Sequence, residues 1–144
     1  MVEQDTINLL RECDAGVKMG ISSIGDVLNY VSSPQLKKLL QASSEEHDRL
    51  KADLQGLLAD YNDEGKEPAA MAKGMSWLKT SVKLTVNESD STVADIMTDG
   101  CNMGVKSLSR YLNKYKAADE RSKDMAKRII SAEEQLSKDM RAFL

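Results

Sequence analysis

Proline occurs only twice in this chain, at positions 34 and 68. Proline removes a backbone donor and breaks a helix interior, so its scarcity leaves three long stretches open to continuous helix. Within them apolar residues return every three or four positions, the period of one helix face, and no period-two segment marks a strand. Residues 5–31 carry Ile7, Leu10, Val17, Ile21, Ile24, Leu28 and Val31 on one stripe, broken at Asp14. "SSP" at 32–34 then offers Ser33 as an N-cap and Pro34 as a first helical residue. A second helix over 34–61 places Leu36, Leu40, Ser43, His47, Leu50, Leu54 and Leu57 in line, and ends in the turn-rich "YNDEGKEP" of 61–68. A third, over 91–115, carries Val93, Ile96, Met97, Gly100, Cys101, Gly104, Leu108, Tyr111, Leu112 and Tyr115. A fourth, over 119–144, carries Met125, Ile129, Leu136, Met140 and Phe143. Between the second and third lies a crossover, 62–90. It contains a short amphipathic helix with Met71, Met75, Leu78 and Val82 on one face, and possible N-caps in "NESDS".

The two halves repeat. Aligning "MGISSIGDVLNYV" at 19–31 with "MGVKSLSRYLNKY" at 103–115 superposes Met19 on Met103, Gly20 on Gly104, Ser23 on Ser107, Leu28 on Leu112 and Asn29 on Asn113. Gly16 falls on Gly100 in the same register. A glycine pair costs about 1 kcal/mol per residue in a helix interior, so its recurrence favours a duplicated helical hairpin over a shared helical pattern. Two hairpins and a long crossover predict an all-α four-helix bundle forming one domain, 1–144. The chain is long enough for a single core.

Composition excludes several classes. The net charge of −3 opposes nucleic-acid binding, which draws its affinity from phosphate neutralisation. No apolar run approaches the ~18 residues of a membrane span, and "MVEQDTINLL" lacks the basic head and apolar segment of a signal peptide, so the expected location is cytoplasmic. Cys13 and Cys101 make no motif spacing and are expected as reduced thiols. The chain has no Gly-rich phosphate loop, no Cys-x-x-Cys, and only one histidine from which to build a catalytic triad.

Two hairpins, a crossover and a patch of acid and histidine in "SSEEHDRLKADL" resemble the ferritin-like superfamily. More narrowly, "CDAGVKMGISSIGDVL", "PQLKKLLQ", "GMSWLKTSVKL" and "AEEQLSKDMRAFL" look like a bacterial branch of small ferritin-like bundles. "SSPQLKKLLQ" is also similar to helical spore-coat F proteins. The resemblance covers nearly the whole chain. It implies a ferritin-like fold, and a di-metal oxidase or iron-handling activity only where the ligands are present.

That ligand set is a Glu from each of two helices and a Glu-x-x-His from each of the others, because residues three apart share a helix face. Here His47 has Ser44 three residues before it, and "AEEQ" offers Ala132 and Gln135 where Glu and His belong. Asp99 points away from its apolar stripe. An intact di-iron centre is therefore not expected. A reduced site remains open: His47, Glu133 and Cys101 lie within about one helical turn of each other by phase (~5 Å along the axis), and Asp14 also interrupts a core stripe. One imidazole, one carboxylate and one thiolate could hold a single divalent metal ion.

The plainer reading of each residue is structural. A lone histidine on an apolar face is ordinarily a hydrogen-bonded core residue, with Glu133 as its expected partner and Glu45 turned outward. Cys101 fits as a small buried apolar group, and Asp14 pairs with Lys51 across the first hairpin. The Gly-x-x-x-Gly patterns allow close approach of the first and third helices, or room for Trp77. Most of the eight methionines fall on the expected core stripes and are read as core filling. The function expected is a structural or protein-interaction bundle, working with a protein partner or by self-association as a homodimer. A metal-binding ferritin-like protein or weak metallo-oxidase using His47 is the alternative.

Overall fold

The computed structural model describes residues 2–68 and 89–144. Four α-helices account for most of them: α1 Val2–Leu28, α2 Pro34–Ala59, α3 Asp90–Lys114 and α4 Glu120–Met140, with a 3₁₀ turn Arg141–Phe143 closing the chain. Three of the four begin at a side-chain cap. Ser33 accepts from the Leu36 amide, Ser89 from Thr92 and Asp119 from Ser122, each satisfying one of the amides a helix start leaves unpaired. α1 instead opens on Glu3 and Asp5, whose charge suits the positive end of the helix dipole. It ends at Leu28, three residues short of the stripe expected to run to 31.

α1 pairs with α2, and α3 with α4, as two antiparallel hairpins. Hydrogen bonds between their ends orient the hairpins. The Asp119 amide donates to Thr6 Oγ1 at 2.8 Å, and the Ser33 amide to Asp90 Oδ2 at 3.0 Å. The start of α1 therefore meets the α3–α4 turn, and the start of α3 meets the α1–α2 turn. The order is up, down, down, up, so α2 ends at the opposite end of the bundle from the start of α3. The crossover helix and Trp77 expected between them lie outside the described residues.

These two hydrogen bonds are the same bond written twice. Position 6 matches position 90, and cap 33 matches cap 119. Five buried apolar residues of α1 have buried counterparts on α3: Leu9 with Val93, Leu10 with Ala94, Cys13 with Met97, Val17 with Cys101, Ile24 with Leu108. Leu50 and Leu54 of α2 match Leu136 and Met140 of α4, also buried. The duplication read from the sequence is thus an approximate two-fold axis in space. It is not exact: α1 packs on all three other helices, whereas α2 and α3 share no comparable interface.

That contact explains where the sequence stripe on α1 is off. A helix touching three neighbours buries a wide face, and Leu9, Cys13 and Val27 join the core while Ile7, Ile21 and Leu28 remain half-buried. On α2, Leu58 is fully buried and Leu57 only partly. Of the described methionines, Met97, Met125 and Met140 are buried, Met19 is half-buried and Met103 is exposed.

Asp14 is buried completely, and its partners are not the ones expected. Lys51 is exposed. The carboxylate accepts instead from Gln55 Nε2 at 3.0 Å and the Lys66 backbone amide at 3.0 Å, and Lys18 Nζ of its own helix lies at 2.7 Å. After α2 the chain turns at Asn62 and Gly65, both at positive φ. Gly65 is required there twice over: its φ of 91° suits glycine, and a Cβ would collide with the Asp14 carboxylate. The segment then climbs beside α1, through Asp63 with Arg11, Lys66 with Glu12 and Glu67 with Lys18. Asp14 thus fastens the first residues of the connection to α1 and aims them toward the far end of the bundle.

Candidate functional site

The core falls into two apolar clusters. One is built around Leu9, Cys13, Leu54, Leu58, Met125 and Ile129, the other around Ile24, Leu36, Leu40, Ile96, Leu136 and Met140. Between them each helix contributes a residue that is not a large hydrophobe: Gly20 from α1, His47 from α2, Gly104 from α3 and Glu133 from α4. Helical phase places them there. Gly20 lies between Val17 and Ile24, His47 between Leu40 and Leu50, Gly104 between Cys101 and Leu108, and Glu133 between Ile129 and Leu136.

His47 is fully buried and Glu133 is 8% exposed. Nδ1 donates to the Ser43 carbonyl at 2.7 Å, one helical turn back, and Nε2 lies 2.5 Å from Glu133 Oε1. A carbonyl oxygen can only accept, so Nδ1 carries a proton, and the Nε2–Glu133 contact holds one more between two basic atoms. Burial alone disfavours the imidazolium, but the hydrogen bond and charge of Glu133, aided by the Ser43 carbonyl, outweigh it and raise the His47 pKa above its ordinary value. Glu45 is exposed, as its phase requires.

The glycines make this layer possible. A Cβ on Gly20 would stand 2.8 Å from His47 Cδ2 and Nε2, so the α1 backbone is where the imidazole finds its space. A Cβ on Gly104 would stand 3.7 Å or more from Glu133 atoms, an ordinary contact. Each of these glycines faces the polar residue of its own hairpin, rather than admitting a close approach of α1 to α3. Gly16, the other member of the first pattern, faces open space.

The buried Cys101 thiol also reaches the layer, beside Glu133. Burial, then the charge of that carboxylate and hydrogen bonding to it, push its pKa far up, so it stays protonated. Cys13, buried in the lower cluster, is pushed up to about 12, chiefly by burial, with Glu12 and Asp14 adding to it. Neither sulfur is a poised nucleophile.

The structure therefore brings together three of the four residues singled out as candidate ligands, His47, Glu133 and Cys101. Asp14 is not among them. It lies six residues before Gly20, about 9 Å down the axis of α1, within its own network. Among the described residues no group of three or more His, Cys, Asp or Glu side chains is arranged to hold a metal ion, and no buried side-chain nitrogen or oxygen lacks a hydrogen-bond partner. The donor set does not fit a di-iron centre. Among the described residues Glu133 is the layer's one carboxylate and His47 its one imidazole; Asp99 is exposed, and Gln135 turns outward to Asp139. No described helix is long and apolar enough to cross a membrane. The family models, curated proteins and solved structures compared with this chain include none that matches it.

Proposed function

We propose that this chain is a structural or protein-interaction bundle of ferritin-like type, in which the position of a di-metal centre is taken by a hydrogen-bonded polar layer. The observation that carries this reading is the accounting at His47. Both ring nitrogens are committed to protein acceptors, one backbone and one carboxylate, and the nearest thiol is held protonated by burial and, second to it, by that same carboxylate. A buried imidazole in this state holds helices together and has no free lone pair to offer. The partner is a protein or a second copy of the chain.

A second reading has one observation in its favour. A histidine whose Nδ1 donates to a backbone carbonyl is oriented as metal-bound histidines are, with Nε2 aimed at the site. In that reading Glu133 and Cys101 join His47 around a single divalent ion. Metal content of purified protein, after loading with iron, zinc or manganese in turn, separates the two. The scaffold reading expects none retained at stoichiometric level. Two irons per chain lost together in His47→Ala would restore the oxidase reading. One zinc or manganese per chain lost in that variant would establish the single-ion site. Light scattering on the same samples reads self-association.

A further inference from the structure

His47 and Glu133 occupy equivalent positions in the two hairpins. The α2 cap Ser33 matches the α4 cap Asp119, 86 residues on, and the same interval separates His47 from Glu133. Their own glycines, Gly20 and Gly104, are likewise equivalent. The pair therefore meets on the approximate two-fold axis that relates the hairpins. On such an axis two copies of one hairpin would bring each residue against itself. Many buried apolar positions recur between the two hairpins, although Ile96 falls against Glu12 and Ile129 against Ser43, and the recurring ones do little to tell a like partner from an unlike one.

We propose that His47 and Glu133 are the specificity pair that makes each hairpin accept only the other kind. Paired unlike, the axis holds one donor and one acceptor, the 2.5 Å contact seen. Paired like, the second hairpin sets two buried carboxylates face to face. The first sets two imidazoles, each with Nδ1 committed to the carbonyl four residues back, so that two Nε2 atoms compete for one proton. Either arrangement strands a buried polar group or sets like charges together, the repulsive element by which specific interfaces reject a wrong partner. The inner face of each hairpin is thus an interaction surface, and its fitting partner is the opposite hairpin of this chain.

The inference rests on the reading of His47 and Glu133 as partners rather than ligands. It is tested on the full-length chain with His47→Glu, Glu133→His and the double exchange, melted in chelator near neutral pH. The backbone is ready for the exchange: Ile129 stands four residues before position 133 as Ser43 does before 47, and Gly104 leaves room beside it. Each single variant should melt lower than wild type. The double exchange should recover about half or more of the summed loss, since the donor and acceptor have only changed sides. The His47→Glu deficit should also shrink on acidification toward about pH 4, where paired carboxyls share a proton, which a loss of packing would not do. If a single variant fails to fold, a folded double exchange counts as recovery. Recovery of less than half, a double exchange that does not fold, or a pH-independent His47→Glu deficit overturns the proposal. Metal content of the wild type is a separate readout, so a bound ion would sink the scaffold reading without deciding the exchange.

Discussion

The two hairpins share a plan: the Ser33 and Asp119 caps, many core positions and the paired glycines recur at matching places. Three of their differences bear on the polar layer and the connection. Position 20/104 is tight in the first hairpin and loose in the second, the axis residue is His47 in one and Glu133 in the other, and Asp14 has Thr98 as its counterpart. Thr98 merely returns its hydroxyl to the Ala94 carbonyl of its own helix, whereas Asp14 holds the segment leaving α2. A shared scaffold sets the fold, and these few unlike residues decide which surfaces meet and where the chain goes next.

Removing the axis residue of the first hairpin should have the largest effect. His47→Ala leaves the Glu133 carboxylate buried without its partner, and breaking a buried pair from one side costs about 3–5 kcal/mol. Urea unfolding monitored by circular dichroism reads it; a loss under about 1 kcal/mol would mean that water or Cys101 satisfies the carboxylate unaided. The intact pair also sets a pH dependence. Because the folded-state pKa of His47 is raised, its stabilisation is complete below the unfolded value of 6.5 and disappears as pH rises through the folded value. His47 is the chain's only histidine, so one imidazole signal in an NMR titration reports it. A midpoint below 6.5 would contradict the pairing.

Next in size is the residue that has no equivalent function in the second hairpin. Asp14→Asn keeps the shape but removes the charge that Lys18 faces, and it places an amide donor where three donors already converge. Hydrogen bonds to a charged group contribute about 1.5–3 kcal/mol, so a loss of about 2 kcal/mol is expected, with faster hydrogen exchange at the Lys66 amide. Thr98→Val on the matching face should cost far less. Equal costs would mean that Asp14 is not specialised to hold the connection.

Much of this was readable in advance, for identifiable reasons. Helix number, the hairpin duplication and the inward placement of His47 and Glu133 follow from a 3.6-residue period, which is local. Cys101 reaching the same depth follows from the same phase. The partners of Asp14 do not. Two of its donors come from within a turn of α1 and from a backbone amide beyond α2, and no facing-helix pattern contains either. The width of the α1 core face was hidden as well, because it depends on α1 touching three helices. The use of Gly20 was hidden because an absent side chain does not announce what fills its place.

The glycines give the smallest effects and the sharpest contrast. At Gly20 an added methyl meets the imidazole at 2.8 Å. His47 is fastened at both nitrogens, so the ring yields only by stretching one of them. Gly20→Ala should therefore destabilise by about 1–3 kcal/mol, the usual range for overpacking, despite alanine's better helix propensity. At Gly104 the nearest atoms stand at 3.7 Å, and they belong to a Glu side chain with ordinary clearance. There the methyl adds contact, and replacing a helical glycine removes a cost of about 1 kcal/mol. Gly104→Ala should be neutral or stabilising by up to that amount. The two variants differ by one methyl at symmetry-equivalent positions, so propensity cancels between them, and the difference in their melting temperatures reads the crowding at His47. Equal shifts would mean that the imidazole moves freely into the α1 groove, and that the first hairpin is no tighter at the axis than the second.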